Sequence, residues 1–295
     1  MGKKVSDYYD AISAGYHEQY DSETLYDLDK EYQSNFFRLQ ILLNSFLKDD
    51  VQKLVEVGVG EGTPLLNIAK TGRKVWGMDV SENMVQASKN NFDKSDYPSE
   101  RISYGDIQDA STYSDISDEG PFDGVIAMGV MPHVKKDDEV LQNMGAMLRP
   151  GGKCFIEFRN KLFSLFTFNR YTVDFIINDL LVNTSAKNKQ KVRETLEPMV
   201  RMDMPPHRDT VNGVAPGYDA ILSKFHNPFE MKELFEKNGY MNVELHWYHY
   251  HPAMPYLETE MSKTFREEAI SLEHETSGWR GYLLCSCYVV QAEKI

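Results

Sequence analysis

The chain has 295 residues, 41% of them hydrophobic and 12% aromatic, which is enough for a sizeable core. Its 45 acidic against 32 basic residues leave a net charge of −13, which argues against a general phosphate-backbone binder and so against nucleic acid as a partner. Three cysteines, Cys154, Cys285 and Cys287, fall in apolar strand-like runs without a spaced framework, as expected of a reducing, cytoplasmic compartment.

The N-terminus lacks the apolar core of a signal peptide. Met1-Gly2-Lys3-Lys4-Val5-Ser6 fits the pattern M-G-x-x-x-[ST], a match short enough to arise by chance. No run approaches the roughly 18 apolar residues of a membrane span, so no membrane association is expected. Residues 5–50 read as helical: Tyr8, Tyr9, Ile12, Tyr16 and Tyr20 recur at three- and four-residue spacing on one aromatic face, and Phe36–Leu47 is a second, strongly apolar helix. Strands then alternate with helices. Leu54–Val57 is the first strand, and Pro64–Thr71 is a helix with proline in its first turn. Val75–Met78 is the second strand, followed by a helix that Ser81 can cap. Ile102–Tyr104, Phe122–Met128 and Lys153–Phe158 are the third, fourth and fifth strands, with a helix over Asp137–Leu148. Such alternation predicts an α/β fold with a doubly wound, mostly parallel, seven-stranded sheet. After Arg159 the rhythm breaks, and residues 160–225 read as a mostly helical insertion. It returns with a helix at Pro228–Phe235 and strands at Val243–Tyr250 and Gly281–Ala292. The expected organisation is an N-terminal helical segment (1–50), an α/β core (51–160), a largely helical insertion (161–227) and a segment completing the sheet (228–295).

Leu54-Val55-Glu56-Val57-Gly58-Val59-Gly60-Glu61-Gly62-Thr63 runs a strand into three glycines at alternate positions. Glycine permits a tight turn and a close ligand approach. Asp79, ending the second strand, is placed as the carboxylate that holds a nucleoside ribose. The dinucleotide fingerprint G-x-G-x-x-G would need its last glycine at Thr63, and this loop reads G-x-G-x-G. Glu61 places an acid in the loop, which would favour a cationic ligand and repel a pyrophosphate.

These motifs together resemble the class I S-adenosylmethionine-dependent methyltransferase superfamily. The resemblance rests on Val55–Gly62, Gly77-Met78-Asp79-Val80-Ser81-Glu82-Asn83-Met84, Gly105-Asp106-Ile107, Phe122–Ile126, Met131-Pro132-His133-Val134 and Leu148-Arg149-Pro150-Gly151-Gly152. It covers residues 50–160 well and 228–292 in outline. It implies a Rossmann-like fold and S-adenosyl-L-methionine as cofactor. Carried over position by position, it implies cofactor contacts from Glu56, Gly58, Gly60, Gly62, Asp79 (ribose), Val80 and Met84 (adenine face), Asp106 and Ile107 (adenine edge), and Met128 and Gly129 (methionine portion). An N-terminal helix closing as a lid would bring Tyr16 to the cofactor and Tyr20 to the acceptor.

Methyl transfer is an in-line displacement for which the protein positions the acceptor, excludes water and, for a hydroxyl, supplies a base. His133, after the fourth strand, is the candidate base, or else packs on the cofactor. Arg159 can hold a substrate carboxylate or phosphate, or an ion pair. Asn160, Phe163, Tyr171, His207 and Arg208 are the candidate substrate contacts; the aromatic stripe of the insertion serves equally as core. His246, His249 and His251 lack the ligand set of a metal site, and no metal is expected. The expected activity is methyl transfer to a hydroxyl or amine of a small natural-product or sugar-type acceptor, by a monomer or homodimer. The rivals are a non-catalytic S-adenosylmethionine-binding protein, an NAD(P)-dependent oxidoreductase, and a protein or RNA methyltransferase.

Overall fold

A computed structural model describes residues 2–12, 20 and 22–295. Helices α1 (Gly2–Ile12) and α2 (Ser34–Asp49) precede β1 (Lys53–Val57), α3 (Thr63–Ala69), β2 (Lys74–Asp79), α4 (Glu82–Lys94), β3 (Ile102–Tyr104), α5 (Ser114–Asp118), β4 (Phe122–Ala127), α6 (Asp137–Met147) and β5 (Leu148–Arg159). The chain continues through α7 (Ser164–Thr167), α8 (Arg170–Phe175), α9 (Ala186–Leu196), a hairpin of β6 (Thr210–Val211) and β7 (Ala215–Pro216), α10 (Met231–Lys237), β8 (Tyr240–Tyr250), α11 (Glu258–Leu272), α12 (Gly281–Leu284) and β9 (Cys285–Lys294).

Seven strands form one sheet in the order β3-β2-β1-β4-β5-β9-β8. The four pairings among β3, β2, β1, β4 and β5 are parallel, and β9 runs antiparallel to both β5 and β8. This is the expected doubly wound, mostly parallel sheet. Alternation along each strand builds its two faces. Val55, Val125, Ala127, Cys154, Ile156 and Val290 enter one core with α6 and α10. Leu54, Ile126, Phe155 and Val289 enter the other with α2, α3 and α4. The strand order reverses between β1 and β4, which opens a crevice at their carboxyl ends, where such sheets bind ligands.

Three expectations change. Residues 5–50, read as helical with a second helix over Phe36–Leu47, do hold two helices, but the described residues between them form turns. Arg266 on α11 donates to the carbonyls of Leu25, Asp27 and Lys30 and so holds that connection in place. The insertion is mostly helical to Met199; beyond it the chain is irregular apart from the β6–β7 hairpin and a 3₁₀ turn at Tyr218–Ala220. The last strand begins at Cys285, because Gly281–Leu284 turns as a helix. A Cβ on Gly281 would lie 2.1 Å from Trp247, so this turn packs backbone-first on β8. Among the described residues no helix is long and apolar enough to cross a membrane.

Candidate functional site

An open cavity, with about 960 Å³ of empty space that includes the solvent at its mouth, lies over the carboxyl ends of β1, β2 and β4. Gly58, Gly60, Asp79, Val80, Met84, Asp106, Ile107, Met128 and Gly129 all line it, together with Glu56, Tyr20 and His133. The sequence motifs therefore converge on one space.

The loop after β1 is pinned by Gly58 and Val59, whose amides donate to the Met78 carbonyl at 2.8 and 3.0 Å. Gly58 has φ +72° and its missing Cβ would sit 2.5 Å from Val130. Over Gly60 there is open space. Its amide donates to Asp79 Oδ2 at 2.9 Å, and Ser81 N donates to Oδ1 at 2.9 Å. Asp79 therefore sets the loop as well as facing the cavity. Burial raises its pKa despite these bonds. Ser81 caps α4, as expected, by accepting from Met84 N at 3.1 Å, and its hydroxyl donates to Asp10 of α1.

Two loop residues do something other than expected. Gly62 is absent from the cavity lining; a Cβ there would lie 2.3 Å from Ser88 Oγ, so this glycine lets α3 approach α4. Glu61 turns away from the cavity. Asn91 of α4 donates to its Oε2 at 2.8 Å, and its Oε1 accepts from Thr63 N at 3.2 Å, at the start of α3. Besides Asp79 and Asp106, the acid that faces the ligand space is Glu56. It is buried, its Oε2 has no hydrogen-bond partner among the described residues, and burial pushes its pKa up to about 8, opposed by Arg38.

Arg38 and Tyr20 form the cavity's polar floor. Arg38 pairs with Glu157 in the interior and donates to Tyr20 Oη at 2.5 Å. Helix α1 roofs the cavity with Val5 and Tyr9. It rests on a small separate cluster of Val5, Tyr218 and Ile221 with Tyr8 and Tyr9 packed against it. Tyr16 lies outside the described residues.

His133 sits in a 3₁₀ turn after β4. Its Nδ1 is 2.7 Å from the Leu222 carbonyl, which can only accept, so Nδ1 carries the proton. The lone pair of the neutral ring is then on Nε2, 3.1 Å from Tyr9 Oη. Burial and, secondarily, the charge of Arg159 push its pKa down to about 4.

Beyond His133 lies a second wall. Arg159 donates to Ser223 Oγ at 3.0 Å and lies 4.6 Å from the Tyr218 ring centroid. Arg208, half exposed, lies 4.6 Å from the same ring and pairs with Asp219. Neither arginine lines the main cavity. Four other candidate substrate residues are displaced from it. Asn160 is fully buried: its amide donates to the carbonyls of Tyr282 and Cys285 at 2.8 Å each, so it holds the α12 turn and cannot reach a substrate. Phe163 packs on His251 (4.6 Å), Tyr171 packs on Phe225 (5.7 Å), and His207 is exposed. Of the three histidines, His251 is buried and His249 half-buried, their ring centroids 4.7 Å apart, with His249 Nδ1 2.7 Å from Ser286 Oγ. No group of described residues is arranged to hold a metal.

Tyr9, Arg38 and Ser223 are site residues that spacing alone did not isolate. Tyr9 lay on the N-terminal aromatic face, where nothing distinguished it from its neighbours.

Residues 54–152 match a methyltransferase domain family. The ubiquinone biosynthesis O-methyltransferase of Coxiella burnetii (strain RSA 493 / Nine Mile phase I) is 27% identical over 125 residues, 42% of this chain and 51% of that protein. Methyltransferase GfsG of Streptomyces halstedii is 36% identical over 107 residues, 35% of this chain and 36% of that one. This chain thus spans about half the length, or less, of these curated relatives. Among solved structures, magnesium protoporphyrin IX methyltransferase (ChlM) from Synechocystis PCC 6803 aligns over 100% of this chain and 97% of its own, with a TM-score of 0.50 and 10% identity. A chain of the Haloferax volcanii complex between the Trm112 methyltransferase activator and a methyltransferase aligns over 97% of both, with a TM-score of 0.52 and 15% identity. At those identities the likeness is one of fold.

Proposed function

We propose that this member of the class I S-adenosylmethionine-dependent methyltransferase superfamily transfers a methyl group from S-adenosyl-L-methionine to a hydroxyl or amine of a small molecule. The observation that carries the reading is one cavity in which Asp79 and Asp106, at the ends of neighbouring strands, share a wall with the apolar Val80, Met84 and Ile107, while His133 faces the same space. Asp79 has lone pairs left for ribose hydroxyls, and Asp106 sits where an adenine edge would be read. Glu56, whose Oε2 has no hydrogen-bond partner among the described residues, would fit a cation on ionising, and in that form it would oppose the pyrophosphate of a nicotinamide cofactor. That discrimination, expected of Glu61, therefore belongs to Glu56. Bound there, S-adenosylmethionine would supply a methyl group activated by positive sulfur.

The chain's own residues would do the rest. Helix α1, whose Val5 and Tyr9 line the cavity, would close over the bound ligands and shield them from water. His133 presents Nε2 unprotonated at neutral pH and can take the proton of a hydroxyl, directly or through Tyr9. An oxygen acceptor is favoured on that ground, since a neutral amine needs no base. With a base whose pKa is near 4, turnover should stay flat above about pH 5 and fall only below it.

Titration with S-adenosylhomocysteine and with NAD tests the cofactor; tight binding of NAD alone would overturn the reading. With a hydroxyl acceptor in hand, His133→Ala should lower kcat by about 100-fold or more, while the Kd for S-adenosylhomocysteine changes little. Tyr9→Phe should cost less. An unchanged kcat in His133→Ala would remove the base assignment.

Glu56 gives a pH signature. Its carboxyl is protonated below about 8 in the free protein, and a cationic ligand favours the ionised form. Affinity for S-adenosylmethionine should therefore rise between about pH 6 and 8, by at most about tenfold per unit, and level off above. Calorimetric Kd values on Glu56→Gln should lose most of that slope; an equal slope would show that another group titrates.

A further inference from the structure

The second wall holds a positive charge that no carboxylate among the described residues answers. Arg159 ends β5 at the carboxyl edge of the sheet and is half-buried. Its contacts are the Ser223 hydroxyl and the face of Tyr218. No carboxylate of the described residues comes within ion-pair distance of it, although the chain carries 45 acids. The neighbouring arginines differ: Arg170 and Arg208 both pair with Asp219, at 3.4 and 3.7 Å, and Arg38 pairs with Glu157. Withdrawing a guanidinium from water without a counter-charge is costly, so such a group is retained where an anion meets it. The place is also adjacent to the chemistry. The Tyr218 ring that Arg159 covers packs edge-on against His133, with centroids 6.1 Å apart, and against Tyr8 of the roofing helix at 5.9 Å. Tyr8 lies in the field of both Arg159 and Arg208.

We propose that the methyl acceptor is an anionic small molecule whose carboxylate or phosphate rests on Arg159, under Tyr8, with its nucleophilic atom turned toward His133. This deepens the methyl-transfer reading and rests on it. A planar guanidinium matches either anion in a two-pronged geometry. The anion would also cancel part of the Arg159 field at His133, making the imidazole a better base only when acceptor is present.

The test uses the full chain saturated with S-adenosylhomocysteine, titrated calorimetrically with benzoate, phenyl phosphate, inorganic phosphate and the neutral benzamide. Benzoate or phenyl phosphate should bind at least tenfold more tightly than benzamide. The better of the two identifies the anion, and binding by inorganic phosphate alone would identify phosphate without an aromatic body. Arg159→Gln should lose that preference with its Kd for S-adenosylhomocysteine unchanged, and Arg159→Lys should keep part of it. In methyl-transfer assays Arg159→Gln should raise KM for hydroxybenzoates far more than it lowers kcat. The proposal is overturned if the saturated wild-type protein prefers no anion over benzamide, a comparison that needs no variant to fold. It is equally overturned if Arg159→Gln binds the anions as well as wild type. Failure to bind S-adenosylhomocysteine at all is a separate result, and it removes the methyl-transfer reading itself.

Discussion

Asp79→Asn should weaken S-adenosylhomocysteine binding by at least about 100-fold while the protein still melts cooperatively. Both carboxylate oxygens accept backbone amides, from Gly60 and from Ser81. An asparagine of the same shape must aim its NH₂ at one of those two donors. That leaves a buried donor unsatisfied, at about 1–3 kcal/mol. It also removes the charge from the bonds that ribose hydroxyls would make, worth about 1.5–3 kcal/mol for a charged acceptor. Only part of the first cost appears in binding, because the loop is misplaced in the free protein too. About 3–4 kcal/mol remains, or 100- to 1,000-fold at 1.4 kcal/mol per decade. Calorimetry gives the Kd and a thermal melt checks the fold. A Kd within threefold of wild type would mean that Asp79 serves the loop alone.

Much of this was legible because the information is local. Strands β1, β2 and β4 are short apolar runs ending in glycine or aspartate, and the side-chain period of two assigns their faces without knowledge of the partners. Ser81 announces its cap within four residues. The misreadings come from partners distant in sequence. Glu61 reads as a loop acid, and only Asn91, thirty residues away on α4, turns it from the cavity. Gly62 shares the spacing of Gly58 and Gly60, yet what it needs room for is Ser88. Asn160 follows a strand at the ligand edge, as an active-site residue would, and is claimed by carbonyls more than 120 residues later. Helix α11 was missed because its face is answered by residues 25–30 and the end of β8, and because its exposed side is rich in acids. Tyr9 was hidden among equivalent tyrosines until the Leu222 carbonyl fixed the His133 tautomer and gave one hydroxyl a partner.

The largest effect on stability should come from Arg38→Met. The guanidinium is buried between two acids from different strands: Glu157 of β5, with which it pairs, and Glu56 of β1, whose pKa it holds down. Methionine fills similar volume but leaves the Glu157 carboxylate and the Glu56 carboxyl buried without a cation and takes away the bond that Arg38 gives Tyr20 Oη. Removing one member of a buried pair typically costs about 3–5 kcal/mol, roughly a 10 °C fall in Tm for a domain of this size. The pH dependence gives the sign. A carboxyl whose folded pKa is raised holds its proton in the folded state after the unfolded chain has released it, so stability falls as pH climbs from about 4.5 through the folded value. For Glu56 that value is already about 8 with Arg38 in place, and it should rise further without it. The deficit of Arg38→Met should therefore be small near pH 5 and widest above pH 8. Adding Glu157→Gln should recover part of the loss by removing one of the stranded charges. Thermal melts of the three proteins at pH 5, 7 and 8.5 decide it. A single variant that melts within 2 °C of wild type at every pH would show that water reaches this floor and that the pair is not, in energetic terms, buried.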